Sequence, residues 1–198
     1  MKAASTRLFL GLDFGDICRS QPWRTAYEEL RSVGFRAHEP DNPEVTIRVE
    51  IRGTDPLELD YLLLDVNGTL SNRGEVLDGV ADRLRTLVGM LETLLLSADT
   101  FGTLDLVARE LGVAAELAPS GADKLRVVER LGSGRCVAVG NGANDAEMLG
   151  HVALGIAVIG AEGASAAAVA RADIVCRSIV EALDLLADPR TIAATLRS

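Results

Sequence analysis

The chain has 198 residues, 48% of them apolar but only 4% aromatic, and it carries a formal charge of −9. That length suits one well-buried α/β domain with a small appendage and leaves no room for two large domains. The acidity, with no basic stripe set against it, excludes a broad nucleic-acid surface, which would need a row of cations along a phosphate backbone.

Cys18, Cys136 and Cys176 are scattered, with no Cys-x-x-Cys pair. They read as reduced thiols of a cytoplasmic protein rather than as zinc ligands or a disulfide framework. No apolar run reaches the roughly 18 residues needed to cross a bilayer, so no membrane partner is expected. The opening "MKAASTRLFLGLDFGD" turns acidic too soon for a secretory signal.

Residues 1–43 contain one helical stretch, Trp23 to Ser32, and a loop, "HEPDNPE". Their composition predicts no core of their own, so they read as an N-terminal appendage and a candidate for poor order. Asp13 and Asp16 in "GLDFGD" lack a following Gly-Thr and are read as turn residues. The alternation from Val45 to Ile51 predicts an antiparallel edge strand, which hairpins through Gly-Thr-Asp-Pro into the approach to Asp65.

From residue 61 onward, short apolar runs alternate with amphipathic stretches. "YLLLD", "TLLLS", "RCVAVG", "ALGIAVI" and "ADIVC" predict buried strands. Between them "GVADRLRTLVGMLE", "GTLDLVARELG", "GADKLRVVERLG" and "GASAAAVARA" have helical spacing. This order predicts an α/β fold in which a parallel sheet has helices on both faces. Sites in such sheets lie beyond the carboxyl ends of the strands.

Four places there carry polar residues: Asp65 with Asn67, Gly68 and Thr69; Ser97 in "LLLSADTFG"; Lys124; and Asn141, Asn144 and Asp145 in "VAVGNGANDAEML". Together they supply a carboxylate nucleophile, a hydroxyl and an ammonium for phosphate oxygens, and oxygen ligands for Mg²⁺. Against eighteen arginines the chain has only two lysines, Lys2 and Lys124, which sets Lys124 apart from an ordinary solvated charge. Ser97 alone would read as a turn or cap residue, and Asp99 as the cap of the helix that follows. His38 and His151 have no partner that would make a catalytic group.

In this order the motifs resemble those of the haloacid dehalogenase superfamily: Asp-x-Asp-Gly-Thr, a Ser or Thr at the second strand, a Lys, and Gly-Asp-Gly-x-Asn-Asp. "GNGANDAEMLGHVALGIAV" and "SADTFGT" are similar to a soluble group related to the phosphorylation domain of P-type ATPases. The resemblance covers about residues 45 to 198 and implies a Rossmann-like phosphoryl-transfer domain over 44–198. No cap domain is expected, because the gaps from Asp65 to Ser97 and from Ser97 to Lys124 hold one helical unit each.

By the resemblance, Asp65 attacks phosphorus. Asp65, Asn67 through its backbone carbonyl, Asn141 and Asp145 hold Mg²⁺, with Asn144 in support. Ser97, Lys124, Gly68 and Thr69 bind the phosphoryl group. Two departures stand out: Asn67 occupies the position of the usual acid/base, and Asn141 that of a usual metal-binding acid. An amide cannot exchange a proton at neutral pH, and such help is worth about 10²–10⁴ in rate.

The expected activity is thus an Mg²⁺-dependent phosphohydrolase or phosphotransferase that forms an aspartyl-phosphate on Asp65 and hydrolyses it slowly. The alternative is a catalytically weak relative that binds Mg²⁺ and phosphate in a regulatory or interaction role. Expected partners are a small phosphorylated metabolite or phosphoryl donor, and a second copy of the chain covering the open site.

Overall fold

The structure, a computed structural model, describes residues 46–99 and 102–197. The expectations for residues 1–43 lie outside the described residues.

Six parallel strands form the central sheet. They are β3 (Tyr61–Asp65), β6 (Glu92–Ser97), β7 (Ala114–Leu117), β8 (Cys136–Gly140), β9 (Leu154–Val158) and β10 (Ile174–Cys176). Their order across the sheet is β10-β9-β8-β3-β6-β7, so β3 sits in the middle with β6 and β8 as its neighbours. The apolar run that ends at Asp65 is buried on both sides, as a central parallel strand requires.

Successive side chains of β3 feed opposite layers. Leu62 and Leu64 join one apolar cluster and Leu63 the other. The first layer packs α1 (Val80–Leu87), α2 (Leu104–Leu111), α6 (Ile179–Ala187) and α7 (Pro189–Leu196) against the sheet. The second holds α3 (Gly121–Leu131), α4 (Ala146–Leu149) and α5 (Ala166–Val169).

The helices form where apolar residues recur on one face. Val80, Leu84 and Leu87 of α1 and Leu104, Val107 and Leu111 of α2 are the buried positions. Ser178 caps α6, and Asp188 caps α7, which opens on Pro189.

Three features differ from the sequence expectation. The expected antiparallel hairpin forms, β1 (Ile47–Val49) with β2 (Leu57–Leu59), but its first strand is shorter than Val45 to Ile51 and the pair stands as a separate two-stranded sheet, not as an edge of the main one. Strand β7 had no strong signal because its sequence, Ala-Ala-Glu-Leu, is only partly buried at the sheet edge. A small hairpin, β4 (Ser71–Asn72) with β5 (Glu75–Val76), lies between β3 and α1.

Among the described residues no domain is inserted after β3 or after β6. No helix among them is long and apolar enough to cross a membrane.

Candidate functional site

Parallel pairing brings the ends of β3, β6 and β8 side by side, and the predicted polar residues meet there. Asp65 ends β3, Ser97 ends β6, and Asn141 follows β8. Lys124 reaches the same point from the first turns of α3. That turn is fixed by a reciprocal cap in which Asp123 N–H donates to Ser120 Oγ and Ser120 N–H donates to Asp123 Oδ2.

At the centre lies a buried charge triad. Lys124, which is fully buried, donates to Asp65 Oδ1 at 2.6 Å and to Asp145 Oδ1 at 2.5 Å. Two carboxylates thus face one ammonium. Burial, and then the neighbouring Asp145 carboxylate, push Asp65 up to about 6, against the opposing pull of Lys124 and Thr69. Burial works against the charge on Lys124 as well, but the carboxylates of Asp65 and Asp145 outweigh it and raise its pKa. Above pH 6 Asp65 is therefore an ionised carboxylate held in place by a cation.

Asp145 is committed to its surroundings. Its Oδ1 accepts from Lys124, while Oδ2 accepts from Asn141 N–H at 3.0 Å and Gly142 N–H at 2.8 Å, closing the loop after β8. Those two amides, not Asn144, support Asp145. Asn144 is exposed, and its side chain makes no hydrogen bond with the described residues.

Two expected phosphate-binding residues are turned inward. Gly68 N–H donates to Ser71 O at 2.9 Å, within the turn. Thr69 is buried; its hydroxyl donates to Asp65 Oδ2 at 2.8 Å, with Asn141 Oδ1 also in reach at 3.2 Å. Thr69 therefore steadies the carboxylate from within. A phosphate at Gly68 or Thr69 would have to displace these bonds.

Ser97 is placed differently. Its Oγ accepts from Asn67 Nδ2 at 3.3 Å and from Asp99 N–H at 2.9 Å. With both lone pairs used, the hydroxyl proton is left to donate to an anion. Asp99 caps α2 as expected, its Oδ1 accepting from Thr103 N–H and Leu104 N–H.

The donors suit a hard divalent cation in kind, since all are oxygens. Asn67 Oδ1 is buried without a hydrogen-bond partner among the described residues. An oxygen so stranded is stabilised by a donor or a cation. Among the described residues no three His, Cys, Asp or Glu side chains cluster closely enough to hold a metal. Amide and backbone oxygens with water would have to complete the set.

One acid near the site went unread in the sequence. Glu162, in the loop after β9, comes close to Gly68: a β-carbon at Gly68 would lie 2.7 Å from Glu162 Oε2 and 2.8 Å from Asn141 Nδ2. Glycine is required there for room and because φ is +79°. The rule that sites gather beyond strand ends applied to the β9 loop too. Its "GAEGAS" carries no motif that singles out the acid.

Comparison with known proteins agrees with this fold. An uncharacterized protein of Methanocaldococcus jannaschii is 41% identical over 78 residues, which make up 37% of this chain and 84% of that protein. The 3-deoxy-D-manno-octulosonate 8-phosphate phosphatase of Moraxella catarrhalis, solved with magnesium, phosphate and KDO, has a similar fold. The TM-score is 0.54 at 17% identity, over 69% of this chain and 91% of that one. The corresponding phosphatase of Yersinia pestis superposes with a TM-score of 0.52 at 19% identity, covering 76% and 95% of the two chains. Residues 12–152, a span that includes the Asp65 turn, Ser97, Lys124 and the Asn141–Asp145 loop, match the haloacid dehalogenase-like hydrolases, and the chain belongs to that family.

Proposed function

We propose that the protein is a phosphohydrolase or phosphotransferase whose nucleophile is Asp65, and that its phospho-enzyme turns over slowly. The observation that carries this reading is the buried triad of Asp65, Lys124 and Asp145 at the carboxyl end of the central strand.

A carboxylate oxygen of Asp65 attacks phosphorus, and the leaving oxygen departs with the bonding pair. Thr69 and Lys124 hold Asp65 in one orientation, so little rearrangement is needed before attack. Lys124 offsets repulsion between the carboxylate and the incoming anion. Ser97 offers its proton to a phosphoryl oxygen. Mg²⁺, held by Asp65, Asn67, Asn141 and Asp145, would neutralise charge on the phosphoryl oxygens. The magnesium and phosphate in the Moraxella phosphatase agree with that choice of ion and ligand.

Asn67 sets the rate. It can hold Ser97, but it cannot protonate a leaving group or take a proton from water. Donors whose leaving group needs no proton, such as acyl phosphates, are therefore the favoured substrates, and the aspartyl-phosphate persists.

The test is intact-mass measurement after incubation with acetyl phosphate and Mg²⁺. One added phosphate is expected on the wild type and none on Asp65→Asn. Asn67→Asp should shorten the adduct's lifetime by about 10²-fold or more, the usual worth of acid-base help. A wild type that binds Mg²⁺ yet shows neither adduct nor turnover would instead favour a binding protein.

A further inference from the structure

We infer that Glu162 belongs to the cation site: lodged over Gly68, its carboxylate returns the negative charge that Asn141 lacks and acts on the water shell of bound Mg²⁺. The inference rests on the phosphoryl-transfer reading above and extends it to a residue on a different loop.

Three observations carry it. Glu162 Oε2 and Asn141 Nδ2 crowd the same space above Gly68, at 2.7 and 2.8 Å from where its β-carbon would be. Glu162 is exposed and makes no hydrogen bond or ion pair with the described residues, so its carboxylate is uncommitted, unlike Asp65 and Asp145. The loop that carries it is tied to Asn141 itself: Asn141 Nδ2 donates to Gly163 O at 3.1 Å, and Ser165 N–H donates to Asn141 O at 2.8 Å.

The last point gives the amide at 141 a physical reason. A carboxylate there could not donate to Gly163 O. Asparagine gives up a charge at position 141 but gains a donor, and that donor anchors the loop that presents Glu162. With Lys124 cancelling one of the two buried carboxylates, a further negative group is what a divalent cation needs most.

Glu162 does not join a cluster of three ligating acids. Mg²⁺ keeps several of its waters when bound, so a carboxylate at the rim can stabilise the ion through them. Groups acting through such hydrogen bonds typically change metal affinity by about 10–100-fold.

The experiment is calorimetric titration of the full chain with Mg²⁺ alone, for the wild type, Glu162→Gln and Glu129→Gln. The last removes an equal charge from an exposed site on the final turn of α3. About tenfold weaker binding is expected for Glu162→Gln only, with the metal-free melting temperature unchanged in all three. Equal affinity in the wild type and Glu162→Gln, or equal losses in the two variants, overturns the role of Glu162 and leaves the phosphoryl-transfer reading intact. A wild type that binds no Mg²⁺ overturns both.

Discussion

Asp65, the proposed nucleophile, is the residue at which stability and that chemistry would oppose each other. In the folded protein it titrates near 6, whereas a carboxylate of its kind free of such surroundings titrates near 3.8, because burial and Asp145 outweigh Lys124 and Thr69. Between these values the folded chain holds a proton that the unfolded chain has lost. Stability therefore falls as pH rises across that window, and the full penalty is present above about pH 6. In the metal-free protein, kept so with chelator, Asp65→Asn should be more stable than the wild type by about 1–3 kcal/mol at about pH 8. That gain should vanish near pH 4, where Asp65 is protonated in the folded wild type. Urea midpoints at the two pH values check this. Asp145→Asn should act in the opposite direction, since one amide oxygen cannot serve both Lys124 and the two backbone N–H groups that Asp145 now satisfies.

The elements reach the site through a few very close approaches of backbone to backbone. Strand β9 passes beneath the end of α4, where a β-carbon on Gly155 would lie 2.2 Å from Leu149 O. Gly155→Ala must therefore push α4 away from the sheet. It should cost about 1–3 kcal/mol, toward the upper end because backbone cannot yield as a side chain does. Since α4 begins at Ala146, directly after Asp145, the same shift should loosen the loop that Asp145 closes. Urea unfolding reads the first effect, and the rate of Asp65 phosphorylation reads the second. A variant with wild-type stability would contradict the packing described for these two elements.

Across the whole molecule, the central strand separates its polar ends. At one end Asp65 meets Lys124. At the other Asp60, also buried, receives Arg135 Nε at 2.6 Å and Nη2 at 2.9 Å together with Thr46 Oγ1 at 2.7 Å, which ties the β1-β2 hairpin to the main sheet. Arg135→Met leaves Asp60 buried without its cation. The cost should be about 2–3 kcal/mol, the low end for a broken buried pair because Arg135 is partly exposed. Phosphorylation of Asp65 well below the melting temperature should be unchanged, because the sheet lies between the two clusters. Thermal melts and the adduct assay, run together, test that separation. Much of this arrangement was legible in the sequence. Alternation of apolar strands and amphipathic helices determined the parallel α/β fold, because each element's hydrophobic period is local. The order of motifs likewise determined which residues line the strand ends. Only the tertiary structure decided how they share their hydrogen bonds. It turned Gly68 and Thr69 inward, gave Asp145 to two backbone amides, and brought Glu162 over Gly68 from 94 residues away along the chain. Such contacts depend on how three loops pack across neighbouring strands, and no local pattern in the chain encodes that distance.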